Sequence, residues 1–353
     1  MQPFTLSHSG PSLDSLHAPE NFYIDICRIG DADSFLLRKN QDFMLVDTGR
    51  YEDAEDITGL LNKRAAVRLK ALVITHYDSD HIGAYLAVID YMNTLKSALN
   101  PRTIEHIYAR RYKKEQLSIL PKDRYQNYVK FINGILRYLN RSSEEFDLNA
   151  LPSYETTEAK ADELYGNGEG VWIFPCRTNP CSNFTLDAAV YIQWLNREAS
   201  YLTAGVTARV LAGNVNNDSL IFQAVCYGKS ALFLADMGYS GLNDLILYRS
   251  FYLKSDILKI AHHGHKYSSP SYIIDEINPV LSFVTTTLDA IPDDTSFYNR
   301  LEELTAGNIN FGSLIFSGKV FGSYSTIAIR KTTPQIYTEN TSIIGHQAAF
   351  GRV

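Results

Sequence analysis

The stretch ALVITHYDSDHIGAY, residues 71–85, decides how this chain reads. A β-branched, apolar run ends at Thr75, and His76, Asp78, Asp80 and His81 follow at once. Burying so many ionisable groups at the mouth of a strand costs several kcal/mol unless each finds a partner. A metal ion is a partner that takes imidazoles and carboxylates together. His76 and Asp78 stand two apart, so in extended backbone they point the same way and can share one ion. Asp80 and His81 are adjacent and can reach a second ion on the other side of the turn.

Other strand ends carry the same chemistry. Asp47 closes FMLVD, Asp236 closes ALFLAD, and His262 with His263 follow DILKIA, each with a glycine within two residues. Strand ends that converge on one rim bring these groups to a point, with Asp236 placed to bridge two ions, which is how a metal site is built on rigid elements.

Outward from this stretch, NFYIDICRI, SFLLRK and DFMLVDTG read as short strands joined by polar turns, an antiparallel start to a sheet. EDAEDITGLLNKRAA has helical spacing, LKALVIT is a continuous apolar run typical of a buried strand, and GAYLAVIDYMNTLKSAL reads as a helix. In the region from about 100 to 205, KDRYQNYVKFINGILRYLNR and DAAVYIQWLNREASYL show helical periodicity, with the loop-like EGVWIFPCRTNPCSNF between them. This predicts an insertion with its own helices. Strands return from TARVLAG onward: NDSLIFQAVCYG and SALFLAD form a hairpin around GKS, followed by DILKIAHHG, PVLSFVTT and GSYSTIAIRK, with a helix at PSYIIDEI. The domain reading is an N-terminal extension, 1–20, and one domain, 21–353.

Bulk properties exclude several classes. A hydrophobic share of 45% and a charged share of 20% are ordinary for a globular protein. The net charge of −6 argues against a general polyanion-binding surface. No secretory signal and no membrane-spanning run are read, so the expected location is cytoplasmic, with no membrane partner. Cys27, Cys176, Cys181 and Cys226 are too few and scattered for a disulfide framework, and Cys176 with Cys181 lack the second pair a zinc clip needs. Arg110, Arg111, Lys113 and Lys114 read as a solvated face, with substrate contact as the alternative; His8, His17, His106 and His346 carry no motif.

THYDSDHIG resembles the HxHxDH signature of the metallo-β-lactamase fold, in the HxDxDH form of the ComEC-type competence hydrolase branch. The likeness runs in order along the chain. GDADSFLL is similar to that branch's GxGDSxLI opening, with Ala32 at the second glycine, and LVDTG matches the motif carrying Asp47. NNDSLIF, LFLADMG and LKIAHHG match the asparagine-serine, bridging-aspartate and final histidine motifs. These cover roughly residues 22 to 90 and 206 to 290.

The resemblance implies an α/β fold, the αββα metallo-β-lactamase sandwich, with a helical insertion and two divalent metal ions at the sheet edge. The implied ligands are His76, Asp78, Asp80, His81, Asp236 and one of His262 and His263, with Asp47 in support. Asn217 and Ser219 fall on a motif that contacts substrate or supports the site; simple turn chemistry is the alternative reading. Asp78 stands where most relatives have histidine, and Asn216, Asn217 and Asp218 stand near another histidine position. Oxygen donors favour manganese or magnesium over zinc relative to a histidine-rich site; the expected ions are zinc or manganese, with magnesium as a further candidate. His265 replaces a frequent serine and is a candidate for protonating a leaving group or holding an anionic substrate; a surface loop histidine with no role is the alternative reading.

The expected activity is a metal-dependent hydrolase with a metal-activated hydroxide as nucleophile and Asp80 at its centre. A phosphodiester substrate, small molecule or nucleic acid, comes first; an ester, thioester or lactam is the alternative. A non-catalytic metal-binding component, docking a protein partner through the insertion, is the alternative of a different class.

Overall fold

The computed structural model describes residues 18–112, 120–139, 171–174, 184–196, 215–265, 268–287, 313–316, 323–331 and 336–339. Two mixed sheets stack face to face. With strands numbered in chain order, the first sheet holds β1 (Phe22–Cys27), β2 (Phe35–Lys39), β3 (Asp42–Val46), β4 (Leu69–Val73), β5 (Ile104–Arg110) and β6 (Val171–Phe174). β14 (Tyr324–Ile329) and β15 (Ile336–Glu339) complete it, in the order β15-β14-β1-β2-β3-β4-β5-β6. The second sheet runs β13-β12-β11-β10-β9-β8-β7. Its members are β7 (Phe184–Asp187), β8 (Val190–Trp194), β9 (Phe222–Cys226), β10 (Lys229–Phe233), β11 (Ile257–Lys259), β12 (Leu281–Val284) and β13 (Ser313–Phe316).

Strand alternation explains the layering. Phe35 and Leu37 of β2, Met44 and Val46 of β3, and Ala71 and Val73 of β4 face inward, meeting Phe222, Ala231, Phe233, Ile257 and Phe283 of the other sheet. Leu36, Leu45 and Leu72 point the other way, under helices α1 (Ala54–Lys63), α3 (Tyr85–Thr94) and α4 (Lys122–Tyr138). Leu232, Leu258 and Val284 likewise face α5 (Tyr239–Arg249) and α6 (Ser271–Ile277). The central strands are covered on both faces, so β2, β3, β4 and β11 read as continuous apolar runs rather than alternating ones. The result is the expected α/β sandwich, two mixed sheets between helical layers. The short α2 (Ser79–Ile82) carries Asp80 and His81 at the edge.

The hairpin around GKS is present, with Phe233 opposite Phe222 and Lys229 opposite Cys226. Two expectations are corrected. DAAVYIQWLNREASYL holds strand β8, not a helix: Val190, Ile192 and Trp194 are buried while Tyr191 is exposed, a two-residue period in a β-branched and aromatic run. The loop-like EGVWIFPCRTNPCSNF contains β6, paired in parallel with β5. The segment from about 100 to 205 thus supplies α4, but also strands to both sheets. His8, His17, Lys113, Lys114, Cys176, Cys181, His346 and TARVLAG lie outside the described residues. Cys27 and Cys226 are buried free thiols. Among the described residues, no helix is long and apolar enough to cross a membrane.

Candidate metal centre

Parallel pairing of β3 with β4, and of β10, β11 and β12, opens their carboxyl ends on a common edge. In α/β sheets that edge is where ligands bind. β3 delivers Asp47, β4 the run from Thr75 to His81, β10 Asp236, β11 Lys259 with His262 and His263, and β12 Thr285. The loop before β2 adds Asp33. Backbone hydrogen bonds tie these pieces together: Asp33 N to Asp80 O (3.1 Å), Thr48 N to His81 O (2.6 Å), Leu220 N to Thr75 O (2.8 Å) and His262 N to Ala235 O (2.9 Å). Gly83 lets the loop close, since a Cβ there would lie 2.5 Å from both Ser79 O and Tyr51 N. Asp47, Ala235, His262 and His263 all have φ between 46° and 56°. Such left-handed backbone at non-glycine residues costs on the order of 1 kcal/mol each and collects at functional sites.

Asp236 stands at the middle. Its Oδ2 is 3.2 Å from His81 Nε2, 3.3 Å from His263 Nε2, and 3.8 Å from the Nε2 atoms of His76 and His262. His263 Nε2 is also 3.3 Å from Asp80 Oδ2, and His76 Nε2 is 3.5 Å from Asp78 Oδ2. Donor atoms of Asp80, His81, Asp236 and His263 all lie within 4.8 Å of one another.

Proton bookkeeping fixes three histidines. Thr75 Oγ1 donates its single hydrogen to Asp47 Oδ2 at 2.6 Å, so it can only accept from His76 Nδ1, 3.1 Å away. Thr285 Oγ1 donates to Asp33 Oδ1 at 2.6 Å and so accepts from His263 Nδ1 at 2.8 Å. His81 Nδ1 donates directly to Asp47 Oδ2 at 2.8 Å. Each imidazole therefore carries a proton on Nδ1 and directs Nε2 toward the cluster, the outer-partner arrangement that metal-ligating histidines show. Those three Nε2 atoms are buried and make no hydrogen bond among the described residues.

The electrostatics agree. Burial alone would keep the His81 and His263 imidazoles neutral. The carboxylates of Asp236, Asp47 and Asp33 outweigh burial at His81 and raise it well above its ordinary value; Asp236 and Asp33 push His263 up to about 9. Burial opposes ionisation of Asp236 too, and the two imidazoles overcome it and hold the carboxyl far below the usual range. The cluster thus draws positive charge to Nε2, which a divalent ion would supply with release of the proton. The residues fit the metal that the motif pattern implies. Burial is the larger influence at His262, holding it down to about 4.

The structure brings together His76, Asp78, Asp80, His81, Asp236 and His263, with Asp47 behind them. Between the paired histidines, His263 has the relay and the close carboxylates; His262 is 28% exposed on the open side. His265 is exposed, its ring stacked on His262 at 4.4 Å. Asn217 Oδ1 accepts from Gly241 N, near the start of α5, at 3.1 Å, and Ser219 Oγ is buried without a hydrogen bond among the described residues. Arg110 is not a solvated residue: it is buried and donates to Asp218 O at 2.9 Å. Sequence reasoning missed Asp33, Thr75, Lys259, Thr285 and Arg124. Lys259 is fully buried, paired with Asp33 Oδ2, and donates to Ala235 O at 3.0 Å. Asp33 sits inside the GDADS opening and Lys259 inside LKIAHHG, so both were in stretches already singled out.

Two mixed sheets between helical layers are consistent with the metallo-β-lactamase fold, and the His/Asp cluster is suited to binding metal. Residues 28–120 match the family model described as the metallo-beta-lactamase superfamily. Among solved structures, the chain is similar to the metallo-beta-lactamase fold protein YhfI from Bacillus subtilis (13% identity, 88% of this chain and 99% of that one, TM-score 0.44). It is also similar to the short form of human tRNase Z (14%, 75% and 92%, 0.38) and to Igni18, a metallo hydrolase from Ignicoccus hospitalis (10%, 90% and 99%, 0.37). No curated protein matches the sequence.

Proposed function

We propose that this protein is a metal-dependent hydrolase acting on a phosphodiester. The observation that carries the reading is the convergence of three tautomer-locked Nε2 atoms with the carboxylates of Asp236 and Asp80. His76, Asp78, Asp80, His81, Asp236 and His263 would hold the metal, with His262 able to complete the His76 side. Divalent ions bound there supply Lewis acidity, lowering the pKa of a water and offsetting negative charge on a substrate oxygen.

The chain's own residues set the direction of approach. The Asp47 and Asp33 side is sealed, whereas the side chains of Asp78, Asp80 and His262 are 29%, 23% and 28% exposed. Substrate would enter over those three, and His265, stacked on His262 and exposed, is the proposed proton donor to a leaving group. Three carboxylates beside the imidazoles give more oxygen than a histidine-rich site has, which shifts the preference toward Mn²⁺ or Mg²⁺ relative to Zn²⁺ and suits phosphoryl chemistry.

The test is hydrolysis of bis-p-nitrophenyl phosphate and of single- and double-stranded DNA by metal-stripped protein reloaded with Mn²⁺, Zn²⁺ or Mg²⁺. Asp80→Ala is run alongside. Metal-dependent cleavage, highest with Mn²⁺ and lost in the variant, is expected. Silence with every metal, from protein that binds the ions, would overturn the phosphodiester reading in favour of an ester or lactam, or of a non-catalytic centre.

A further inference from the structure

Arg124 reaches the metal centre from the first turn of α4. It is 2% exposed. Nε donates to Asp78 Oδ1 at 2.6 Å, Nη2 pairs with the same oxygen, and Nη2 also donates to Asn216 Oδ1 at 2.6 Å. The helix keeps its grip beyond this residue. Asn127 Nδ2 donates to Tyr77 O at 2.9 Å, and the rings of Tyr128 and Phe131 meet Tyr77 edge-on at 5.1 and 5.4 Å. α4 is therefore fastened to the loop that carries His76 and Asp78.

The two halves of the centre are not equivalent. Asp80, His81, Asp236 and His263 bring their donors within 4.8 Å of one another. A cation stands near this half as well, Lys259 Nζ at 3.6 Å from Asp236 Oδ1, but it is paired more closely with Asp33 Oδ2 and leaves Asp236 Oδ2 to the imidazoles. In the other half, Asp78 offers Oδ2 to the His76 side, 3.5 Å from Nε2, while Oδ1 is held directly by a guanidinium. Arginine keeps its charge at any working pH. A fixed cation touching a ligand carboxylate repels an incoming divalent ion and weakens the donor, and the effect grows where the local dielectric is low.

We propose that ions load in order: the first at Asp80, His81, Asp236 and His263, the second and weaker at His76 and Asp78, where Arg124 already supplies positive charge. The inference rests on the metal-centre reading above and makes Arg124 a positioning residue through which α4 sets the second affinity. It gives this arginine a role that no motif assigns.

The experiment is calorimetric titration of metal-stripped protein with Mn²⁺, together with metal content after desalting, for wild type, Arg124→Gln, Arg124→Lys and Asp78→Asn. Wild type is expected to show two unequal steps and to keep one ion per chain. Arg124→Gln is expected to tighten the second step by at least about tenfold, roughly 1.4 kcal/mol. Arg124→Lys keeps the charge and leaves that step weak. Should Arg124→Gln fail to fold, Asp78→Asn decides, since it removes the second step and leaves the first affinity unchanged. Equal steps in wild type, a second step unmoved or missing in Arg124→Gln, or loss of the first ion in Asp78→Asn would overturn the proposal. Protein that loads in this order yet cleaves no ester supports it, and counts only against the hydrolase reading.

Discussion

Asp25 and Asp236 are both buried carboxylates on strands or strand ends of the same sandwich, and they are treated in opposite ways. Asp25 is closed: Arg38 Nε at 2.7 Å, Arg64 Nη2 at 2.8 Å, Arg64 Nε at 2.9 Å and Thr326 Oγ1 at 2.6 Å satisfy both its oxygens. Around Asp236, the described residues gather the carboxylates of Asp33, Asp47, Asp78 and Asp80, with Lys259 and Arg124 as the permanent cations. The remaining charge falls to imidazoles that titrate. A structural ion cluster balances itself; this rim balances only with protons or a metal. The surplus of carboxylate, more than any single motif, marks the functional region.

The contrast yields expectations that can be broken. Asp25→Ala leaves two guanidiniums buried without their carboxylate and is expected to cost about 3–5 kcal/mol of stability, read by urea unfolding, with Mn²⁺ affinity unchanged. A parallel loss of metal would end the distinction between the two regions. Asp236→Asn should lower Mn²⁺ affinity by more than about a hundredfold. Its metal-free form should be less stable than wild type at neutral pH, because His81 and His263 lose the carboxylate that they hold ionised. Metal itself should stabilise wild type by about 2.7 kcal/mol at a concentration a hundred times Kd, and leave Asp236→Asn unmoved in the same thermal melts. Smallest is Thr285→Val. It cuts the relay from Asp33 to His263 at constant shape and should cost roughly 10–100-fold in Mn²⁺ affinity. If Thr285→Val binds like wild type, the relay does not set the tautomer of His263.

What the sequence made legible follows physical range. Motif aspartates and histidines stood out because local spacing put ionisable groups against apolar strands; buried strands were legible in runs such as LKALVIT and SALFLAD, and the sandwich was implied by the motif resemblance. Three kinds of information were hidden. Tyr191 and Gln193 interrupt β8 with polar character at the solvent face, and in a short aromatic run that pattern also satisfies helical spacing. Lys259 and Arg124 look like ordinary solvated charges until the fold shows them fully or nearly buried. Thr75 and Thr285 carry no signal at all: a threonine becomes a proton relay only when a carboxylate and an imidazole meet it from distant segments, Asp33 lying 252 residues from Thr285.

Tyr77 sits between two residues that face the cluster, and its own ring points the other way. It packs against Tyr112, Tyr128 and Phe131, and its hydroxyl donates to Arg110 O. Residues 76 and 78 are thus carried on a backbone pinned from behind, while Asp80 and His81 ride on a helix of four residues tied to the neighbouring loops. Ions of unequal radius cannot be met by moving such a frame. The give must come from the partly exposed carboxylates of Asp78 and Asp80 and from the His262 ring. If the centre holds metal as proposed, ion preference would depend on stiffness as much as on donor chemistry, because only the outer edge of the frame can adjust to an ion's size.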